Sequence, residues 1–192
     1  MKKTIIVADD EPISRMDICE ILTEYGYEVV GQASNGFEAV DLCRKFKPNL
    51  AIMDIKMPLF DGLKASKIIT NENLADSVVL LTAYSGAEFI EEAKDAGVNG
   101  YIVKPIDEKS LIPEVEIAIS RGEEMKKLKA EMNKVRIEIE KRKVIDSAKK
   151  VIIKKLNVSE DEAYKWLRKE SMDSRLTIHQ VAISIIENKY NW

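Results

Sequence analysis

Short apolar runs and longer stretches of helical spacing alternate through the first two thirds of the chain. The runs at 4–8, 28–33, 50–53, 78–82 and 100–103 have strand length and are rich in branched residues. Between them, apolar residues recur at helical spacing near 13–25, 36–47, 62–72 and 86–97, and again from 107 onward. Gly26, Gly36, Gly62, Gly97 and Gly100 punctuate turns and helix ends. Such β–α alternation predicts an α/β domain: a five-stranded parallel sheet, doubly wound, with helices on both faces.

After residue 107 the strand pattern disappears. Pro113 is tolerable in the first turn of a helix, with Ser110 as N-cap. Beyond it no proline occurs, and the single glycine, Gly122, is the weak point of a helix reaching about residue 145. Apolar residues then fall at Met125, Leu128, Met132, Val135 and Ile139, in steps of 3, 4, 3 and 4. With charged flanks, this reads as a short heptad seam in a coiled-coil linker. Three amphipathic helices follow. The first carries Val144, Ile145, Ala148, Val151, Ile152 and Leu156. The second begins at a capping box, Ser159 with Glu162, and is broken at Asp173-Ser174. The third carries Ile178, Val181, Ala182, Ile185 and Ile186. The expected domains are therefore 1–121, a helical linker 122–140 and an all-α unit 141–192.

Composition sharpens this picture. The chain has 192 residues, 45% of them apolar, with no run long enough to span a membrane. The N-terminus enters a strand-like segment directly and lacks the pattern of a signal peptide. The two cysteines, Cys19 and Cys43, read as reduced core residues. Together these predict a cytoplasmic protein. Residues 1–121 carry a net charge of −8 and residues 122–192 a net +5. An acidic front and a basic back suggest two tasks, with a polyanion as partner of the second.

The chemistry-bearing residues stand at strand ends. Asp9 and Asp10 end the first run, Asp54 the third, Thr82-Ala83 the fourth and Lys104-Pro105 the fifth. Ligands of an open α/β sheet bind at the carboxyl ends of its strands. These residues, with Met57-Pro58 and Asp61-Gly62, make residues 4–120 resemble the receiver domain of two-component response regulators. The resemblance implies that Asp54 is a phosphoacceptor and that a sensor histidine kinase is the donor. It implies Mg²⁺ bound by Asp10, Asp54 and the backbone carbonyl of Lys56, with Asp9 acting mainly through water. Lys104 would pair with one phosphoryl oxygen, and Thr82, beside Ala83, would donate its hydroxyl to another. Tyr101 would be the switch aromatic whose ring turns inward as the threonine moves. The chain would thus be a phosphoryl acceptor, with slow autodephosphorylation at most, rather than an enzyme.

From Lys141 on, the chain resembles the ANTAR domain, the three-helix RNA-binding module of transcription antiterminators. The carrying residues are Arg142 to Lys149, Val158 to Tyr164, Leu167-Arg168, Ser174 to Ile178 and Val181-Ala182. Within that class it is similar to the regulators of ethanolamine utilisation. Lys149 and Lys150 lie beside the apolar stripe. Tyr164 and Arg168 share a helix face, where an aromatic ring and a guanidinium suit a base and a phosphate. Arg175 and Thr177 would open the third helix, whose N–H groups favour phosphate. Trp166 reads as core, and His179 as a surface or capping residue.

The expectation is a response regulator that dimerises along the Met125–Ile139 seam when phosphorylated and binds hairpin RNA in leader transcripts, causing antitermination. Two other readings stand beside it. A DNA-binding regulator needs a recognition helix rich in Arg, Asn or Gln, and the third helix offers only Gln180 and Asn188. A helical output that docks a protein partner would have no salt-dependent affinity for nucleic acid.

Overall fold

The computed structural model describes residues 2–83, 91–92, 95–187 and 189–190. It divides into two compact units, Met1–Lys127 and Leu128–Trp192. Five strands form the first unit's sheet: β1 (Thr4–Ala8), β2 (Glu28–Ala33), β3 (Leu50–Asp54), β4 (Ser77–Thr82) and β5 (Gly100–Val103). All pair in parallel, in the order β2-β1-β3-β4-β5. This is the flavodoxin-like doubly wound order, as the alternation predicts. The helices are α1 (Pro12–Glu24), α2 (Gly36–Phe46), α3 (Gly62–Asn71) and α4 (Glu108–Leu156). The helix expected over 86–97 falls largely outside the described residues.

Two apolar layers sandwich the sheet. On one face Ile6, Ala51, Met53 and Leu80 pack with Val40 and Cys43 of α2 and Ala65 and Ile69 of α3. On the other, Ile5, Val7, Ile52 and Leu81 pack with Ile18 and Leu22 of α1 and Leu111, Val115 and Ala118 of α4. Side chains alternate across a strand, so the central strands are apolar on both faces except at their end residues.

The start of α4 departs from the sequence reading. Asp107, not Ser110, caps it: the Asp107 carboxylate accepts the Ser110 N–H at 2.8 Å, and the Ser110 hydroxyl accepts the Asp107 N–H at 3.2 Å. Pro113 therefore lies inside the helix rather than in its first turn, where it removes one backbone donor. Gly122 is more than a weak point. A Cβ there would lie 2.8 Å from the Asp76 carbonyl oxygen and overlap the Ser77 hydroxyl. Its absence lets α4 press against the entrance of β4. The Ser77 hydroxyl donates to the Ala118 carbonyl at 2.6 Å, and Lys126 pairs with Asp76 at 2.9 Å. Lys3 also pairs with Glu123.

The expected break between linker and first output helix does not occur. The helix runs unbroken to Leu156, because neither proline nor glycine follows Gly122 to stop it. In the second unit, residues from Val144 onward on α4 pack with α5 (Glu160–Ser174) and α6 (Ile178–Ile186). Ala148, Ile152, Ala163, Leu167, Val181, Ala182 and Ile185 form its buried centre. The Ser159–Glu162 capping box opens α5 as predicted. Trp166 packs edge-to-face on Tyr190 at 5.4 Å, which agrees with a core role.

Candidate phosphoryl site and helical face

The first site is built at the carboxyl ends of β1, β3, β4 and β5. Asp54 is the last residue of β3, and Asp9 and Asp10 directly follow β1. One carboxylate oxygen from each of the three lies within 4.8 Å of the others. Lys104, just past β5, reaches across: its ammonium lies 2.8 Å from Asp9 Oδ2 and 2.8 Å from Asp54 Oδ2. Its backbone N–H donates to the Thr82 carbonyl at 2.8 Å, tying the ends of β4 and β5 together. Thr82 is itself buried at the end of β4.

Burial separates the three carboxylates. Asp9 is fully buried and heavily used: Oδ1 accepts the Glu11 N–H at 2.9 Å, and Oδ2 accepts both Lys104 and the Ser14 hydroxyl, the latter at 2.9 Å. Asp10 is exposed. Asp54 is 8% exposed. Burial pushes its carboxyl above the ordinary value, and Asp9 adds to this; Lys104 and the Lys56 N–H only partly offset the rise. Burial alone would lower the Lys104 ammonium, but its bonds to Asp54 and Asp9 outweigh that and hold it above its ordinary value. The donor set is all oxygen, close together and negative, which fits a hard divalent cation such as Mg²⁺.

Close backbone approaches hold Asp54 in place. A Cβ on Gly62 would overlap the Asp54 carbonyl oxygen, so only glycine lets α3 begin there. Asp61 is the N-cap of α3 and accepts the Lys64 N–H at 2.8 Å. The loop after β3 is pinned again where the Gly36 N–H donates to the Phe60 carbonyl at 2.9 Å and Phe37 stacks on Phe60.

The structure gathers Asp9, Asp10, Asp54 and Lys104, with Thr82 beside them. Ala83 is exposed past the end of β4. Tyr101 is not in the cluster; it lies mid-β5 and is 44% exposed. Sequence reasoning missed Ser14 and Arg15. Ser14 supports Asp9 from the first turn of α1, and Arg15 donates to the Asp9 carbonyl. A faint signal existed, since both follow the Asp9-Asp10-Glu11 triplet within one helical turn.

In the helical unit, the candidate basic and aromatic residues divide. Lys149 pairs with Asp146 and Glu160, each at 2.7 Å, and so links α4 to α5 rather than facing outward. Those two partners raise its pKa. Lys150 and Arg168 are exposed, and Tyr164 is 45% exposed one turn from Arg168. The reading that Arg175 and Thr177 open α6 holds for Thr177 and needs correction for Arg175. Arg175 closes α5 in a left-handed conformation, φ 57°, because the chain must turn back immediately. Thr177 is the N-cap of α6, and its hydroxyl is held in a reciprocal capping box with Gln180. Exposed Met172 continues the Tyr164–Arg168 line, a feature sequence reasoning missed.

Comparison with known proteins follows this division. Residues 5–116 match the response regulator receiver domain family, and residues 133–186 match the ANTAR domain family. The transcriptional regulatory protein PdtaR of Mycobacterium tuberculosis is 40% identical over 185 residues, spanning 96% of this chain and 90% of that protein. The chemotaxis protein CheY of Thermotoga maritima is 35% identical over 58% of this chain and 93% of its own length. Among solved structures, the receiver domain of the response regulator NarL from M. tuberculosis superposes with a TM-score of 0.59. It is 26% identical and covers 62% of this chain and 97% of that one.

Proposed function

Because this chain belongs to the response regulators, with a receiver domain followed by an ANTAR domain, we propose that phosphorylation of Asp54 switches on its binding to hairpin RNA in nascent leader transcripts. The observation that carries this reading is the ammonium of Lys104 placed 2.8 Å from both Asp9 and Asp54 beside a three-carboxylate cluster. A half-buried lysine that bridges two carboxylates is poised to pair with a phosphoryl oxygen once one of them is modified.

In the proposed reaction a carboxylate oxygen of Asp54 attacks phosphorus in a phosphohistidine of a sensor kinase. The P–N bond breaks, its electron pair leaves with the imidazole, and an acyl phosphate forms on Asp54. Lys104 holds one phosphoryl oxygen, and the Thr82 hydroxyl donates to another. Asp10, Asp54 and the Lys56 carbonyl would hold Mg²⁺, with Asp9 acting through water because its oxygens already serve Lys104, Ser14 and the Glu11 N–H. When bound, the ion neutralises phosphoryl charge. The movement of Thr82 would draw the Tyr101 ring inward, a two-state local change of the kind that biases assembly.

Phosphorylation then favours a dimer closed along Met125, Leu128, Met132, Val135 and Ile139. Two helical units in one dimer grip paired hairpins with raised effective concentration, which keeps a terminator hairpin from forming. Tyr164 and Arg168, with the exposed Lys150 and Arg175, are the RNA contacts this reading favours. Lys149 and Thr177 act instead by shaping the unit.

A selection from a random RNA-hairpin pool beside a duplex-DNA pool, with Mg²⁺ and with or without beryllofluoride as phosphoryl mimic, tests this. One RNA hairpin class should be enriched, and more strongly with the mimic. Enrichment of duplex DNA alone would replace this reading with a DNA-binding regulator, and enrichment of neither with a protein-docking output.

A further inference from the structure

The first turn of α1 is bonded to the phosphoryl site rather than capped by its own N-cap. Glu11, at the N-cap, makes no side-chain capping bond. Asp9, two residues earlier, serves instead: its Oδ1 accepts the Glu11 N–H at 2.9 Å and its Oδ2 accepts the Ser14 hydroxyl at 2.9 Å. A serine or threonine inside a helix often bonds back to the carbonyl four residues before it. Thr23, Thr70, Ser147 and Ser174 do so in this chain. Ser14 turns to a carboxylate of the acidic cluster, so its hydroxyl is committed to that site. Arg15, the next residue, donates to the Asp9 main-chain carbonyl and anchors the Asp9 backbone to the same helical turn.

The oxygen that Ser14 holds is shared. Asp9 Oδ2 also accepts the Lys104 ammonium at 2.8 Å, and the same ammonium reaches Asp54 Oδ2 at 2.8 Å. An ammonium carries three donors on a flexible stem. Lys104 and Ser14 both line an open cleft between α1 and the end of β5, which leaves the ammonium room to turn. Phosphoryl oxygens arriving at Asp54 draw it toward their charge and away from Asp9. Asp9 has no exposed surface, so bulk solvent supplies no donor in place of the one that leaves. Without a second donor, Oδ2 would become a buried charge with no partner, which is costly.

On the reading of Asp54 as phosphoacceptor, we propose that Ser14 is a positioning residue for phosphoryl transfer. Its hydroxyl holds Asp9 Oδ2 while Lys104 passes from Asp9 to the phosphoryl group. Ser14 keeps its proton throughout, and only hydrogen bonds are exchanged. Before transfer Oδ2 has two donors, and afterwards the hydroxyl is the one that stays. Removing the hydroxyl therefore penalises the phosphorylated state more than the unmodified one.

Ser14→Thr and Ser14→Val test this, because they have nearly the same shape and differ in the hydroxyl. The full chain carrying each is titrated with beryllofluoride at saturating Mg²⁺, followed by fluorine NMR of the bound mimic, and separately with Mg²⁺ alone. Ser14→Thr should bind the mimic as wild type does. Ser14→Val should bind it about tenfold more weakly, the loss of one hydrogen bond to a charged group, and should take phosphate from acetyl phosphate more slowly. Affinity for Mg²⁺ alone and the thermal midpoint without the mimic should be close in the two variants. If valine prevents folding, Ser14→Ala, which fills less space, gives the same comparison. Equal affinity of the hydroxyl-bearing and hydroxyl-free variants for the mimic overturns the role of Ser14. So does an equal loss in mimic binding, Mg²⁺ binding and thermal midpoint, which would make Ser14 a structural residue. A wild-type chain that does not bind the mimic overturns the reading of Asp54 itself, and the role of Ser14 with it.

Discussion

Asp9 shows how much of a site can rest on one side chain. It is completely buried, yet it accepts from a backbone N–H, a serine hydroxyl and an ammonium. Asp9, Asp10, Asp54, Thr82 and Lys104 were legible in the sequence because the chemistry demands these residue types and the sheet topology places them at strand ends. Ser14 and Arg15 were not, since a hydroxyl or guanidinium one turn into a helix has many ordinary uses. Lys149 looks like a surface cation in the sequence because its partner Glu160 lies across a helix–helix turn, beyond the reach of local pattern. Arg168 is the opposite case, exposed and one turn from Tyr164. Arg168→Ala should weaken hairpin binding by about tenfold, the loss of one or two phosphate or stacking contacts, with an unchanged thermal midpoint. A fall in the midpoint of several degrees would instead make Arg168 a structural residue.

At the scale of elements, helix ends and close contacts decide what the periodic pattern leaves open. The strands and helices of the sheet domain could be read from alternation, but not the continuity of α4 through Leu156, because a helix pattern carries no sign of its end when no breaker is present. Gly122 sets two effects against each other. Alanine is the better helix former by about 1 kcal/mol. Its Cβ, however, would press on the Asp76 carbonyl and Ser77 hydroxyl, and overpacking of that kind costs roughly 1–3 kcal/mol. Gly122→Ala should therefore destabilise the receiver in urea unfolding; a stabilised variant would show that α4 can move away at no cost. The capping box of α5 makes a second prediction. Ser159→Ala should cost about 1 kcal/mol. The Ser159 N–H and hydroxyl hold the Glu162 carboxyl below its ordinary value of 4.5. A group whose pKa is depressed on folding contributes fully above its unfolded value and loses that contribution as pH falls through the folded one. The stability difference between wild type and Ser159→Ala should accordingly be constant near neutral pH and shrink below pH 4.5. A difference that does not change with pH would assign the stabilisation to the serine alone.

For the whole molecule, charge and architecture agree. The acidic half holds the carboxylate cluster and the basic half holds the helical unit, so the two tasks suggested by composition fall on two separate folds. The central claim is that phosphorylation of one carboxylate controls RNA binding by the other unit. The most direct measurement is the affinity of wild type and Asp54→Ala for the selected hairpin, with Mg²⁺, before and after treatment with acetyl phosphate. Wild type should tighten by about tenfold or more as its two units bind together, and Asp54→Ala should not respond while keeping its thermal midpoint. An Asp54→Ala variant that tightens as wild type does, or a wild type that does not respond, would contradict the account.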